Sequence, residues 1–313
     1  ATTEIYTLSL HDALPISALF LADIPVLRHV PKVARASWAQ CLARALAAVA
    51  HHNSAEAWWD LLMLPKAVLR PAPRGGALRR QQAGQFTLRR CGRWLGGERE
   101  ELLEAHARPR GRRPARRAPE DSEDPVVRAQ QSRCCALAGE GELSRACAAL
   151  VAPPLLNHNA DTVTKLRSKH PQAAPARPAL VPLGPPSTAD VPDITAEQIR
   201  RAIQGWSRSS AAGPTGLRGD HLKEALATAH ADEVLVHLTG VVQLLVRGDA
   251  PADLAQHLAG ATLHALPKGQ DDVRPIAVGE TLRRLASKCL CQAMRDSAQD
   301  LLAPLQVGVA VPL

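Results

Sequence analysis

Aromatic residues are scarce in this chain. Two Phe, one Tyr and five Trp amount to 3% of its 313 residues, whereas 46% of the residues are hydrophobic. Alanine and leucine supply most of that hydrophobic share and favour helices, while strands are enriched in aromatic and β-branched residues. The composition therefore predicts a mainly helical protein and argues against an all-β architecture.

Long hydrophobic runs are absent as well. No apolar stretch reaches the roughly 20 residues that a membrane-spanning helix needs, and no signal peptide is evident. The seven cysteines are odd in number, and their spacing fits neither a disulfide framework nor a zinc site. We therefore expect an intracellular protein, nuclear or cytoplasmic, that is not secreted and has no membrane partner.

Common enzyme signatures are also missing. The sequence contains no G-x-x-x-x-G-K-[ST] phosphate loop, no G-x-S-x-G elbow and no H-E-x-x-H metal site. Its net charge of +8 instead fits a polyanionic partner. A basic balance alone does not identify that partner, so the evidence has to come from local patterns.

Residues 262–294 carry the most informative pattern. Two stretches rich in apolar and β-branched residues, 262–266 and 273–278, flank a charged turn and predict a β-hairpin. Gly279 ends the second stretch, and a helix is expected to follow. The apolar stripe of that helix consists of Leu282, Leu285, Leu290 and Met294.

Two cations fall on this hairpin. Lys268 lies at the outgoing turn and Arg274 at the start of the return strand, so we expect them to lie near each other. Two cations on a stiff hairpin can clamp a polyanion such as a triphosphate. The alternative is that both are solvated turn residues, offset by Asp271 and Asp272.

A second pattern is the string AAGPTGLRGDHLKEAL at residues 211–226. Gly213 and Gly216 permit a close backbone approach, and a helix N-terminus nearby favours a phosphate. The candidate contacts to a nucleic-acid strand are Arg208, Arg218 and Lys223. The alternative is an ordinary loop with a helix cap.

Both strings resemble one family. The string LPKGQDDVRPIAVGETLRRLASKCL looks like the finger hairpin and following helix of reverse transcriptases from non-LTR retrotransposons, which share Pro-Lys, Arg-Pro-Ile and a helix with Lys. The Gly-Pro-x-Gly loop resembles the loop of the same enzymes whose backbone lies against the template strand. The turn with Gln306 and Gly308 is similar to the family's Gln-x-Gly turn before the palm.

The resemblance implies an RNA-directed DNA polymerase whose partners are an RNA template, a DNA primer and a dNTP. The fold class it implies is mainly α with one small β-hairpin, as a partial fingers region of a right-hand polymerase. Lys268 and Arg274 would bind the triphosphate of the incoming nucleotide, and Arg274 would also pack over its base. The template contacts would come from Gly213, Gly216, Arg208, Arg218 and Lys223.

The sequence lacks the residues that DNA synthesis would need. The reaction uses palm aspartates on separate strands, one in a Tyr/Phe-x-Asp-Asp turn, to hold two Mg²⁺ ions about 3.5–4 Å apart. The only Asp-Asp here is Asp271-Asp272, in the hairpin turn. We therefore expect no catalytic residue, no cofactor or metal bound by this chain and no polymerase activity on its own. Mg²⁺, and a missing palm and thumb, would belong to a longer parent protein.

Composition shifts divide the chain into six segments. The start, with the string YTLSLHDALPI, resembles a translated sequencing-adapter read-through and is expected to be foreign. The arginine- and proline-rich stretches are expected to be a charged disordered linker and an extended connector. The segments are 1–17 (artefact), 18–105 (helical N-terminal region), 106–125 (charged linker), 126–170 (short helices), 171–192 (Pro-rich connector) and 193–313 (fingers-like region).

Periodicity and cap residues predict the remaining helices. Pro31 opens a helix, Asn53 begins the cap of the next one and Pro65 ends it. The buried face of the first of these is predicted to consist of Val33, Trp38, Cys41, Leu42, Ala45, Leu46 and Val49. Further helices are predicted at 78–103, 126–135, 142–150, 161–169, 195–206 with a capping box from Thr195 to Gln198, 220–231, 234–246 as an interior helix, and 251–258.

Two other functions remain open at this stage. The chain could be a basic helical nucleic-acid-binding or adaptor protein without polymerase ancestry, or a non-functional retroelement remnant. Salt-dependent RNA binding that survives loss of Lys268 and Arg274 would favour the adaptor.

Overall fold

The protein, described by a computed structural model, is mainly helical with one two-stranded antiparallel sheet. The structure describes residues 20, 22, 24–72, 80–104, 125–139, 141–152, 156, 159–169, 191–208, 210–269 and 271–302. Within them, the coarse fold class expected from composition is confirmed. The predicted foreign start and the Gln-x-Gly turn lie outside the described residues, as does nearly all of the two predicted linkers.

The elements follow one another in a simple order. The earlier helices are α1 (Arg35–His52), α2 (Ala55–Val68), α3 (Arg80–Leu95), α4 (Arg99–Glu104), α5 (Pro125–Gly139), α6 (Leu143–Val151) and α7 (Ala160–Ser168). The later elements are α8 (Ala196–Gln204), α9 (Gly219–Ala225), α10 (Ala231–Arg247), α11 (Ala255–Ala259), β1 (Ala261–Lys268), β2 (Asp272–Gly279), α12 (Thr281–Ala293) and α13 (Arg295–Leu302). Short 3₁₀ turns precede α1 and α11.

Two compact units make up the chain, and each is discontinuous in sequence. The first contains α1–α4 together with α8–α13, and the second contains α5–α7 together with the hairpin up to Val278. The predicted segments 18–105 and 193–313 therefore share one unit, while most of the hairpin lies in the other. Composition marks linkers but carries no information on which helices pack together, so this arrangement was not predictable from the segment boundaries.

Helix α1 runs through the core of the first unit. Trp38, Leu42 and Leu46 are fully buried, as predicted, and each buried leucine contributes about 2 kcal/mol. Helix α10 approaches α1 so closely that a Cβ on Gly240 would lie 3.1 Å from the Cβ of Ala50. The prediction was wrong for Val33, which is 51% exposed, because it lies in the 3₁₀ turn and α1 begins only at Arg35.

Several predicted helix ends are confirmed. The Thr195 side chain accepts from Gln198 N at 3.2 Å, and the Gln198 side chain accepts from Thr195 N at 2.7 Å, which completes the capping box of α8. Gly248 adopts a left-handed φ of 75° at the end of α10. At the α1–α2 junction the prediction was one residue early. Asn53 takes the left-handed C-cap of α1, and Ser54 caps α2 by accepting from Ala57 N at 3.2 Å.

Pro65 does not end helix α2, contrary to the prediction. The helix continues through it to Val68, and Leu64 and Val68 are fully buried. Proline removes one backbone donor, but in the last turn this loss affects a single hydrogen bond and the burial of the following turn outweighs it. Lys66 is also buried, and its Nζ donates to the carbonyls of Phe20 and Ala22 at 2.5 and 3.0 Å.

Four other helices differ from prediction. The helix expected at 78–103 is two helices, because Gly97 has a φ of 95° between α3 and α4. The helix expected at 220–231 stops at Ala225, where the Thr228 hydroxyl donates to the Ala225 carbonyl at 2.8 Å. Helix α10 is not interior all round, since Val236 is 63% exposed. On α12, Met294 is exposed and Cys289 is buried in the stripe instead.

The second unit has two small apolar clusters. Leu137 on α5 packs against Ala146 and Ala149 on α6. A separate cluster joins Leu166 of α7 to Ala265 and Val273 of the hairpin. The hairpin therefore has one face covered by α7 and the residues around it.

Candidate nucleotide and nucleic-acid interface

The hairpin is close to its predicted form. Strand β1 ends at Lys268, Gly269 takes the turn with a φ of 67°, and β2 begins at Asp272. Ala265 and Val273 are buried and pack with Leu166 of α7. Successive side chains of a strand point to opposite faces, so the immediate neighbours of these two residues face the other way.

Lys268 and Arg274 lie on that opposite face. Lys268 is three residues from Ala265 and Arg274 is one residue from Val273, so the period of two turns both side chains away from α7. The Lys268 side chain is 58% exposed and Arg274 is also exposed. The exposed side chain of Ile276 shares this face.

The carboxylate of Asp272 bonds more closely to Lys169 than to Lys268. Its two carboxylate oxygens lie 2.8 and 3.0 Å from Nζ of Lys169, and one accepts from Val273 N at 2.8 Å. Nζ of Lys268 is 3.8 Å away. The hydrogen bond from Lys169 is the chief cause that lowers the pKa of Asp272, followed by the one from Val273 N. Asp272 is therefore shared between Lys169 and Lys268 and offsets part of the charge of Lys268, as the alternative from the sequence expected.

A cavity of about 230 Å³ lies beside the turn, on the side of Val273. Its lining includes three carboxylates, those of Asp161, Asp271 and Asp272, and the amine of Lys165. This negative lining repels anions. An anionic ligand of the hairpin would therefore have to bind on the exposed face with Lys268 and Arg274.

The Gly-Pro-Thr-Gly loop lies in the first unit, and both of its glycines approach the protein's own chain. A Cβ on Gly213 would lie 2.6 Å from the carbonyl oxygen of Gly279 and 2.7 Å from Cα of Glu280. Gly216 has a φ of 80°, and a Cβ there would lie 2.5 Å from Cγ2 of Val26. The close approach that the glycines permit is thus made to the residue that ends β2 and to the N-terminal segment.

Replacing Gly213 with alanine is expected to lower the free energy of unfolding by about 3 kcal/mol, because the new methyl group meets immobile backbone atoms. Gly92 is the matched control, since it lies within α3 with no atom within 4 Å of its Cβ position. Gly92→Ala should raise the free energy of unfolding by about 0.5–1 kcal/mol. Urea denaturation of both variants measures the difference, and equal values would contradict the contact at Gly213.

Glu280 holds the loop to the start of α12. Its carboxylate is fully buried and accepts from the Thr215 hydroxyl at 2.9 Å, Thr215 N at 3.2 Å and Thr281 N at 2.7 Å. Burial raises the pKa of Glu280, against the lowering effect of these hydrogen bonds. The Thr281 hydroxyl adds a hydrogen bond of 2.7 Å to the Leu217 carbonyl. The sequence analysis missed Glu280, although its place between Gly279 and an apolar helical stripe marks a helix N-cap.

His221 and Glu224 on α9 hold the segment 24–30. His221 is fully buried, donates from Nε2 to the Leu27 carbonyl at 2.8 Å and accepts from Arg218 N at Nδ1 at 3.3 Å. Glu224 accepts from Val30 N at 2.7 Å and from Arg35 at 2.8 Å. Burial lowers the pKa of His221 to about 3, so the ring is neutral at physiological pH.

The three predicted template cations lie around the loop. Nη1 of Arg218 donates to the Ser210 carbonyl at 3.0 Å, and Nζ of Lys223 donates to the Trp206 carbonyl at 2.5 Å. Arg208 is exposed. The structure therefore brings Arg218 and Lys223 to the segment that leads into the loop, where both stabilise its backbone.

Two cations of α12 join them, and the sequence analysis missed both. Arg284 donates to the Ala211 carbonyl at 2.8 Å and its guanidinium lies 5.2 Å from the Trp206 ring centroid. Lys288 donates to the Ala202 carbonyl at 3.0 Å. The helical pattern alone could not reveal these contacts, because the acceptors are main-chain atoms distant in sequence.

Within the described ranges, no three His, Cys, Asp or Glu side chains are grouped so that they could hold a metal ion. The residues present there therefore do not fit the Mg²⁺ pair of a polymerase. In the same part of the chain, every helix is too short or too polar to span a membrane.

Known proteins add no further identification. No protein-family model, curated protein or solved structure matches this chain. The functional argument therefore depends on the residues and contacts described above.

Proposed function

We propose that this chain supplies template and incoming-nucleotide contacts to an RNA-directed DNA polymerase, in the manner of reverse-transcriptase fingers. The observation that carries the proposal is that Lys268 and Arg274 are both exposed on the hairpin. Lysine and arginine are cationic side chains, and two cations are suited to a triphosphate.

The position of the Gly-Pro-Thr-Gly loop supports the same proposal. Gly213 packs against Gly279, the last residue of β2, and Glu280 bonds to Thr215 in that loop. The loop is thus held to Gly279 and Glu280 by contacts within the first unit. A backbone held in this way is pre-organised for a template contact.

The test is triphosphate binding by the full chain. We expect Lys268→Ala/Arg274→Ala to weaken binding of a dNTP and of inorganic tripolyphosphate by roughly 100-fold, since two charge-assisted contacts are lost. The control is Arg133→Ala/Lys165→Ala, which removes two cations from helices of the same unit. Isothermal titration calorimetry measures both variants, and wild-type protein that binds neither ligand would disprove the proposal.

A second candidate is a nucleic-acid-binding module without polymerase ancestry. It is favoured by the internal use of the loop, because Gly213, Arg218 and Lys223 contact protein backbone and Gly216 contacts the side chain of Val26. RNA binding without triphosphate binding would identify it. Both tests need the whole chain, because deletion of residues 179–313 would remove α8–α13 from the first unit.

A further inference from the structure

The charged residues of helix α12 are all basic. Its thirteen residues, TLRRLASKCLCQA, include no Asp or Glu. The buried stripe of the helix is Thr281, Leu282, Leu285, Ala286 and Cys289. Outside this stripe lie Arg283, which is exposed, and Arg284 and Lys288, which are half-buried.

Three cations converge on one short stretch of backbone. Arg284 and Lys288 of α12 and Lys223 of α9 donate to the carbonyls of Ala211, Ala202 and Trp206. Arg284 and Lys288 are one helical turn apart, about 6 Å along the axis. The acceptors are neutral, so these hydrogen bonds fix the cations in place without cancelling their charge.

No exposed carboxylate offsets this charge among the described residues. Within the described part of the chain, no ion pair is formed by the four cations Lys223, Arg283, Arg284 and Lys288. Burial lowers the pKa of Arg284; Glu280 raises it and Arg283 lowers it. Glu280 is fully buried and offsets part of the charge of Arg284, so the positive charge of the face comes mainly from Lys223, Arg283 and Lys288. The face is therefore a fixed patch of positive charge.

We propose that this patch, Lys223, Arg283, Arg284 and Lys288, binds the sugar–phosphate backbone of single-stranded RNA. The identity of the strand as a template rests on the proposed function, whereas the site itself follows from charge and geometry. Rigid cations facing solvent bind phosphates without reading bases. A single strand can bend along the helix face, whereas a duplex presents a rigid surface.

The test uses the full chain and a fluorescein-labelled 20-nucleotide RNA without secondary structure. Arg283→Gln/Lys288→Gln should weaken binding about tenfold at 0.1 M salt and reduce the slope of log K against log salt by about 1.4, from 0.7 for each phosphate contact. The control is Arg200→Gln/Arg201→Gln on α8, whose cations pair with Asp232 and Glu197. It removes the same charge and should change the affinity less than about twofold.

The outcomes separate this inference from the proposed function. Unchanged RNA affinity and salt slope in Arg283→Gln/Lys288→Gln would overturn it, even in a protein that binds tripolyphosphate. Loss of RNA binding in a protein that binds no triphosphate would support the patch and sink the polymerase proposal. Equal losses of RNA affinity in both double variants would also overturn it. So would a loss of binding that Arg283→Gln/Lys288→Gln shows toward phosphatidylserine vesicles but not toward the RNA. Far-UV circular dichroism and thermal unfolding verify that each variant is folded, and Arg283→Gln alone, at the exposed position, repeats the test with half the slope change.

Discussion

Lowering the pH from 7 to 4.5 is expected to destabilise the first unit by about 3 kcal/mol through His221 alone. Burial lowers the pKa of His221 to about 3, whereas a histidine in the unfolded chain has its ordinary value of 6.5. Between these values the unfolded chain binds more protons than the folded one. The stabilising contribution is therefore complete above pH 6.5 and is lost as the pH falls toward 3.

The geometry explains this sensitivity. Nδ1 of His221 accepts from Arg218 N, so a proton there would remove the acceptor and place two donors face to face. Nε2 is already committed to the Leu27 carbonyl. Protonation must therefore break the hydrogen bond from Arg218 N at the start of α9, whereas the bond from Nε2 to the Leu27 carbonyl can persist.

The measurement is urea denaturation of the wild type and His221→Asn at several pH values between 7 and 4.5. The difference in unfolding free energy between them should shrink by about 1.4 kcal/mol for each pH unit below 6.5. The exposed His52 offers a control for the substitution itself, since His52→Asn removes one imidazole without removing a buried contact. A His221→Asn profile parallel to that of the wild type would contradict the prediction.

Removal of the Glu280 side chain should cost about 3–5 kcal/mol of unfolding free energy. Glu280→Ala leaves the Thr215 hydroxyl, Thr215 N and Thr281 N without their acceptor in a site closed to solvent. A double-mutant cycle with Thr215→Val should show a coupling of about 1–3 kcal/mol. Glu197→Ala, which removes an exposed carboxylate paired with Arg201, should cost less than about 1 kcal/mol.

Glu280 also affects the pH profile, with the sign opposite to that of His221. Burial raises its folded pKa above the ordinary glutamate value of 4.5, so the folded chain binds more protons than the unfolded chain just above that pH. Its favourable contribution is therefore present below pH 4.5 and is lost as the pH rises through the folded pKa. The stability of wild type relative to Glu280→Gln should fall with rising pH in this window; a rise would refute the direction.

Local interactions could be predicted from the sequence. The Thr195–Gln198 capping box joins residues three apart, and the hairpin joins strands separated by a short turn. Such contacts leave a pattern within a short window, which explains why these elements and most helices were predicted correctly.

Distant contacts left no comparable pattern. The carboxylate of Glu224 meets Val30 N across 194 positions, and Glu280 meets Thr215 across 65. The same limit applies to the glycines. The sequence indicates that Gly213 permits a close backbone approach, but it does not show that the approaching residue is Gly279. The sequence likewise predicted Lys268 and Arg274 as a pair but missed Lys169, which engages the aspartate between them.

The discontinuous first unit has a consequence for synthesis on the ribosome. His29 and its neighbours meet Glu224 only after a further 195 residues, which takes roughly 10–40 s at the usual 5–20 residues per second. During that interval the apolar face of α1 has left the exit tunnel before α10 exists to cover it. We therefore expect the nascent chain to expose that apolar face until its later helices emerge.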